Sequence, residues 1–248
     1  MAAYKEALPF IVGSLVTSYP DEYFVEGLEV LLNDAEIHAR CGVHDTELWP
    51  SLFKRLSQIV GDHQAVTELR SLYIDVFDRG RAENSVYETE YGKDRPLVKG
   101  NELADIAGFY KAFGFTLSRD DEEISEMLDH LAVELEFYAL LVMKEAALAA
   151  EGNNEGVEIV HDARKAFLCD HLGRFVGAIV ERPGIQNNEV FKEIFTWCRD
   201  LINEECERLD VSPLPADWMR ALKEDDEMSC GGMEGILSGN KRFPIIQS

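Results

Sequence analysis

Residues Asn187–Leu209 read NNEVFKEIFTWCRDLINEECERL. The apolar residues Phe191, Ile194, Phe195, Cys198, Leu201, Ile202 and Leu209 recur at spacings of three and four, with acids and arginines between them. On a helix that spacing gathers them into one stripe, so the segment is an amphipathic helix with a single face to cover. Working outward, the same rule picks Ile124, Met127, Leu128, Leu131, Leu135, Tyr138 and Val142 from Asp120 to about Ala150. Asp120–Glu123 supply an acidic first turn suited to the positive end of a helix dipole. Further helices are predicted at 2–17, 22–40, 46–60, 64–77, 102–113 and 155–180.

The breaks fall at residues that favour them. Tyr19-Pro20-Asp21 reads as a turn with Asp21 as cap, Asn101 as the cap of a helix that Phe113-Gly114 ends, and Gly152-Asn153-Asn154 and Pro183-Gly184 as later connections. There is no sustained period-two alternation and no internal repeat. The expected architecture is all-α, a single-domain helical bundle over 1–211, with 212–248 a partly flexible C-terminal tail. In that tail stand Pro213, Pro215, the acid run Glu224–Glu227, three glycines, and Trp218 and Met219, which could dock a short helix.

Composition bounds the function. Of 248 residues, 46% are hydrophobic and 10% aromatic, enough for a sizeable core. Lys and Arg number 24 against 47 Asp and Glu, a formal charge of −23, which repels a phosphate backbone and excludes nucleic acid as the main partner. The five cysteines Cys41, Cys169, Cys198, Cys206 and Cys230 form no Cys-x-x-Cys pair, a pattern expected of reduced thiols in the cytoplasm. The apolar run Ala7–Val16 contains Pro9 and is far short of the roughly 20 residues a membrane span needs. Neither an export signal nor membrane insertion is expected.

Two stretches resist a purely structural reading. Asn84–Gly92 (NSVYETEYG) is aromatic and acidic and lies in Arg79–Gly100, about twenty residues without helical periodicity, a length usually functional inside a compact domain. Asp129–Tyr138 (DHLAVELEFY) places ionisable groups on an otherwise core-like helix. On that predicted helix His130, Glu134 and Phe137 share a face opposite the stripe centred on Leu128 and Leu135. His130 and Glu134, four apart, could simply be a surface pair worth a few tenths of a kcal/mol. Phe137 beside them favours a face covered by the loop or by a partner.

Chemistry of other kinds finds less support. A di-iron bundle needs repeated Glu-x-x-His pairs, and Glu158-Ile159-Val160-His161 stands alone. His44-Asp45 and His161-Asp162 hint at an HD-type phosphohydrolase without its further ligands. There is no Gly-x-Ser-x-Gly, no glycine-rich phosphate loop and no cysteine in an activating context, and Cys230-Gly231-Gly232 reads as incidental. A metal-dependent helical enzyme, di-iron or HD-type, stays the alternative from another class, and a nucleotide-binding regulator a third.

The ordered set Tyr73-Ile74-Asp75-Val76-Phe77, Ser85-Val86-Tyr87-Glu88, Glu102-Leu103-Ala104-Asp105-Ile106-Ala107-Gly108-Phe109-Tyr110 and Asp129-His130 with Glu134-Leu135-Glu136-Phe137 resembles the TorD/DmsD/NarJ family of redox-enzyme maturation chaperones. Phe167-Leu168-Cys169-Asp170-His171-Leu172 looks like that family's later His-Leu helix. The resemblance covers roughly Tyr4–Leu209. It implies a cytoplasmic, non-enzymatic chaperone that binds the N-terminal leader of a molybdoenzyme catalytic subunit and assists molybdenum-cofactor insertion before export or membrane docking. Such a chaperone is expected to hold no stable cofactor of its own and to act as a monomer or a domain-swapped dimer. Tyr-Glu-Thr-Glu-Tyr-Gly looks most like the branch serving type II DMSO-reductase-family enzymes, those for nitrate, selenate, chlorate, dimethyl sulfide or ethylbenzene. Where the readers of twin-arginine signals carry proline and tryptophan before Ser-Val-Tyr, this chain has Arg79–Asn84.

The resemblance carries the client-binding role to Phe77, Ser85, Tyr87, Glu88, Asp129 and His130, and local geometry adds Tyr91 and Glu134. A receptor for an arginine-bearing leader needs exposed acids beside an apolar groove. Exposed ion pairs give only about 0–1 kcal/mol each, so apolar burial at about 25 cal/mol per Å² should supply most affinity, with acids setting orientation and approach. Substitution of His130 by alanine is expected to leave folding largely intact.

Overall fold

A computed structural model describes residues 2–42, 48–81, 83–92, 95–117 and 128–216. Among them the architecture is the expected all-α one: α1 (Ala2–Thr17), α2 (Glu22–Leu32), α3 (Ala35–Cys41), α4 (Leu48–Val60), α5 (His63–Tyr73), α6 (Arg95–Ala112), α7 (Leu131–Ala150), α8 (Asn154–Phe167), α9 (Gly173–Val180), α10 (Pro183–Gln186) and α11 (Glu189–Leu209). Two π-helical segments, Ile74–Arg79 and Leu168–Leu172, prolong α5 and join α8 to α9, and Glu88–Glu90 form one 3₁₀ turn. No described helix is long and apolar enough to cross a membrane.

The centre is α7, whose first three turns bury residues on every side, among them Leu131, Leu135, Phe137, Tyr138 and Leu141. A helix with apolar residues on most of its circumference needs cover on most of it; α1 and α8 flank it most extensively, and Glu136 stays exposed. Gly13 eases the α1 approach, because a Cβ there would lie 3.3 Å from Leu135 Cδ1 and that side chain would have to give slightly. The stripe of α11 is buried as its spacing requires, against α9, α4, α10 and α1. Phe137 is fully buried and sits at ring distances of 4.6 Å from Tyr110, 4.8 Å from Phe167 and 5.6 Å from Phe115.

Caps set most boundaries. Asp21 accepts from Phe24 N at 2.8 Å, as expected, and Asp34, Asp62, Asn153 and Asn188 do likewise at the next helix starts. Each such cap contributes about 1 kcal/mol. Asp34 also divides the single helix expected over 22–40. Gly114 and Gly152 stop their helices in the left-handed region, at φ of +68° and +73°. The helix expected from 102 begins instead at Arg95, so Asn101 lies inside it and caps nothing. The irregular segment is correspondingly shorter than Arg79–Gly100.

The largest correction concerns α7. It starts at Leu131, not in the acid run Asp120–Glu123, which lies outside the described residues together with Ile124 and Met127. His130 is its N-cap: Nδ1 accepts from Ala132 N at 3.0 Å, a better local partner than continued helix. A second polar face does not exist, since His130, Glu134 and Phe137 are all buried. His44-Asp45, Trp218, Met219 and Cys230 also lie outside the described residues; Cys41, Cys169, Cys198 and Cys206 are free thiols.

Candidate functional site

Seven of the eight residues read as client-contacting are buried: Phe77, Ser85, Glu88, Tyr91, Asp129, His130 and Glu134. Tyr87 alone is half-buried. The structure brings them together, but as an internal lattice rather than as the open acidic surface the sequence suggested.

The lattice begins with one antiparallel bridge between Tyr87 and His130. Glu88 N donates to Asp129 O at 2.8 Å and Leu131 N to Val86 O at 2.9 Å, so the loop is sewn to the start of α7 by backbone. Side chains lock the pairing. Asp129 Oδ2 accepts from Thr89 Oγ1 at 2.5 Å and from Thr89 N at 3.3 Å, and Tyr91 Oη donates to Ser85 O at 2.5 Å. At the loop's start Asn84 Oδ1 accepts from Gly184 N at 2.7 Å, a closeness that a Cβ at Gly184 would forbid.

Because His130 Nδ1 accepts from the backbone, its proton sits on Nε2, which faces Tyr73 Oη at 3.2 Å. Burial, helped by Arg81, pushes the imidazole down to about 3, so it stays neutral. The Tyr87 ring stands edge-on to His130, and the Arg81 guanidinium lies 4.3 Å from the Tyr87 ring centroid. Phe77, in the first π segment, packs on Tyr73, Phe191 and Phe195 as core.

On the other side of the bridge, Glu88 reaches His171 in the second π segment, Nδ1 to Oε2, at 3.1 Å. Burial alone would lower His171, but its hydrogen bond to Glu88 and the carboxylates of Glu88 and Asp105 outweigh that and hold it above its ordinary value. Beneath Glu88, both oxygens of Glu134 are buried and face no N–H donor. Burial, then the Glu88 and Asp129 charges, pushes its carboxyl well above the usual range, so it keeps its proton and shares it with Glu88. His171 forms the floor of an open cleft of about 740 Å³ whose walls include Glu102, Ala104, Asp105, Cys169, Arg174 and Leu214.

Sequence reasoning did not place Glu102, Asp105, His171 or Arg174 in the site. A signal existed: Glu102 and Asp105 are three apart on α6, and His171 lies in a quoted motif, but nothing local says that α6 and the π segment face each other.

A second buried polar cluster lies away from the loop. Arg164 pairs with Glu145 and Glu205, and Tyr138 Oη donates to Glu205 Oε1 at 2.5 Å. His161 meets Glu145 at 3.2 Å, an ion-pair neighbour rather than a second ligand. Among the described residues no three His, Cys, Asp or Glu side chains are grouped to hold a metal ion.

Residues 45–181, more than half of the chain and including all eight residues read as client-contacting, match the model of the nitrate reductase delta subunit family. The chain belongs to that family. Membership in the nitrate reductase delta subunit family agrees with the resemblance drawn from the aromatic and Asp-His motifs. Among curated proteins, the chain is 35% identical over 111 residues to the selenate reductase assembly chaperone protein of Thauera selenatis, covering 44% of this chain and 53% of that one. It is 32% identical over 112 residues to the chlorate reductase assembly chaperone protein of Ideonella dechloratans, with coverages of 44% and 53%. To the dimethyl sulfide dehydrogenase assembly chaperone protein of Rhodovulum sulfidophilum it is 30% identical over 123 residues, with coverages of 47% and 48%. The matches thus span about half the length of these relatives. No solved structure matches the chain.

Proposed function

We propose that this protein is a system-specific cytoplasmic chaperone that binds the leader region of a molybdoenzyme catalytic subunit and holds it while the molybdenum cofactor is inserted. Membership in the delta-subunit family and likeness to three proteins named as assembly chaperones support a role in assembly. The observation that carries the finer reading is the bridge between Tyr87 and His130. It holds a long loop in one conformation, with Tyr87 partly accessible and Glu88 reaching the floor of an acidic cleft. Such pre-organisation lowers the ordering cost of gripping an extended or helical peptide. The leader's apolar residues would pack against Tyr87 and its surroundings, while the acids orient its basic residues.

The test is affinity purification of the tagged chain from its own host. A catalytic subunit recovered in cofactor-free form, and lost when its leader is deleted, is the expected result. Recovery of no subunit, or only of mature loaded enzyme, refutes the reading.

A further inference from the structure

Resting on the chaperone reading, we propose that the cleft between α6 and the second π segment is the seat of an arginine side chain presented by the client's leader, its guanidinium held by Glu102, Asp105 and His171.

Acids outnumber cations around the cleft. Glu88, Glu102, Asp105 and Asp170 converge there against Arg174, whose Nη1 stands 3.8 Å from Glu102 and 3.9 Å from Glu88 while it hydrogen-bonds Asp170 O at 3.2 Å. Independently, two buried atoms face the space without a hydrogen bond: Glu102 Oε2, and Nε2 of His171, a residue only 2% exposed. Asp105 Oδ2 approaches that nitrogen at 3.3 Å without hydrogen-bond geometry. The unpaired Glu102 oxygen is an acceptor that a ligand's donor would satisfy. The acceptors stand on two different elements, an arrangement that a planar five-donor fork spans better than a compact ammonium. Ala104, Cys169 and Leu214 give the alkyl stem an apolar path.

Binding is linked to a proton. His171 is faced by Glu88 on the loop, Glu102 and Asp105 on α6, Arg174 on α9 and Asp170 on its own segment, with Glu134 of α7 behind Glu88. Burial disfavours the imidazolium, but the Glu88 and Asp105 carboxylates outweigh it and hold His171 above its ordinary value. An entering guanidinium supplies that charge instead, so the Nε2 proton leaves to solvent and the freed lone pair accepts from the ligand. Affinity therefore rises with pH through the titration of His171.

Calorimetry on the full chain tests this with the blocked peptide acetyl-Gly-Arg-Arg-Phe-Leu-Leu-amide and its uncharged citrulline counterpart. The arginine peptide should bind about tenfold tighter or more, with heats that differ between phosphate and Tris buffers because a proton is released. Glu102→Gln and Asp105→Asn should each lower that affinity about fivefold with the chain still cooperatively folded. Equal binding of the two peptides, buffer-independent heats, or unaffected variants overturn the assignment. The chain carries similar chemistry in its own Lys241-Arg242-Phe243-Pro244-Ile245-Ile246. Peptide affinity unchanged by Lys241→Gln with Arg242→Gln supports the client as occupant, and a marked tightening assigns the cleft to the chain's own end instead. A Glu102→Gln/Asp105→Asn chain that captures the catalytic subunit as well as wild type overturns the cleft while leaving the chaperone reading standing. A wild type that captures none refutes that reading, and with it the client as occupant.

Discussion

His171 Nδ1 lies 3.1 Å from Glu88 Oε2, joining positions 83 residues apart, with both side chains only 3% exposed. The contact ties the loop to the junction of α8 and α9 and gives the imidazolium its partner. Since His171 is held above its ordinary value, the stability it contributes is complete below the unfolded value of 6.5 and is lost as pH rises through the folded one. Glu88→Gln should therefore cost about 1–3 kcal/mol at pH 6, and less toward pH 9. Urea unfolding across that range checks this; a pH-independent deficit would refute it.

Glu134 predicts a slope of its own. Its folded carboxyl holds a proton that the unfolded chain releases above about 4.5, so folding weakens as pH rises from there toward the raised folded value. Glu134→Gln cannot titrate, and its amide can donate to Glu88. The variant should be more stable than wild type at pH 8 and show a flatter pH profile. Thermal unfolding at matched ionic strength between pH 5 and 8 measures both, and a steeper profile in the variant contradicts the buried-acid account.

Glu205 is the shared partner of Arg164, Arg208 and Tyr138. Removing it leaves the Arg164 guanidinium, whose side chain is 4% exposed, with Glu145 as its remaining carboxylate partner. Glu205→Ala should destabilise by about 3–5 kcal/mol, whereas replacing the exposed Glu207 should change little. Chemical denaturation of both variants tests the contrast.

Tyr87 and His130 face each other yet should answer to different assays. His130→Ala removes a buried cap and the partner of Tyr73, costing about 1–3 kcal/mol, contrary to the tolerance its sequence context suggested. Tyr87→Ala should leave unfolding nearly unchanged but lower client capture more than Glu88→Gln does. Denaturation and pull-down on the same three proteins separate the roles, and a reversed ranking in capture argues that charge, not aromatic burial, drives binding.

Spacing alone located the stripe of α11 and most helices, because an amphipathic face is written in neighbours three and four apart. Asp21, Gly114 and Gly152 were legible as stops for the same local reason. Spacing places His130 inside a helix because Leu131, Leu135 and Tyr138 continue a period that Leu128 opens, and only the bridge to Tyr87 shows where the helix begins. The π segments were invisible, since nothing local distinguishes a wider turn from an α one.

What the sequence determined, then, is the helical class, its order and the residues that matter, all encoded within a few turns of chain. What tertiary structure decided is their exposure and pairing. Glu88 meets His171, Asp129 meets Thr89, and Glu134 is sealed beneath them. Burial and long-range distance set a carboxylate's charge and partners, and neither is a property of its sequence neighbours.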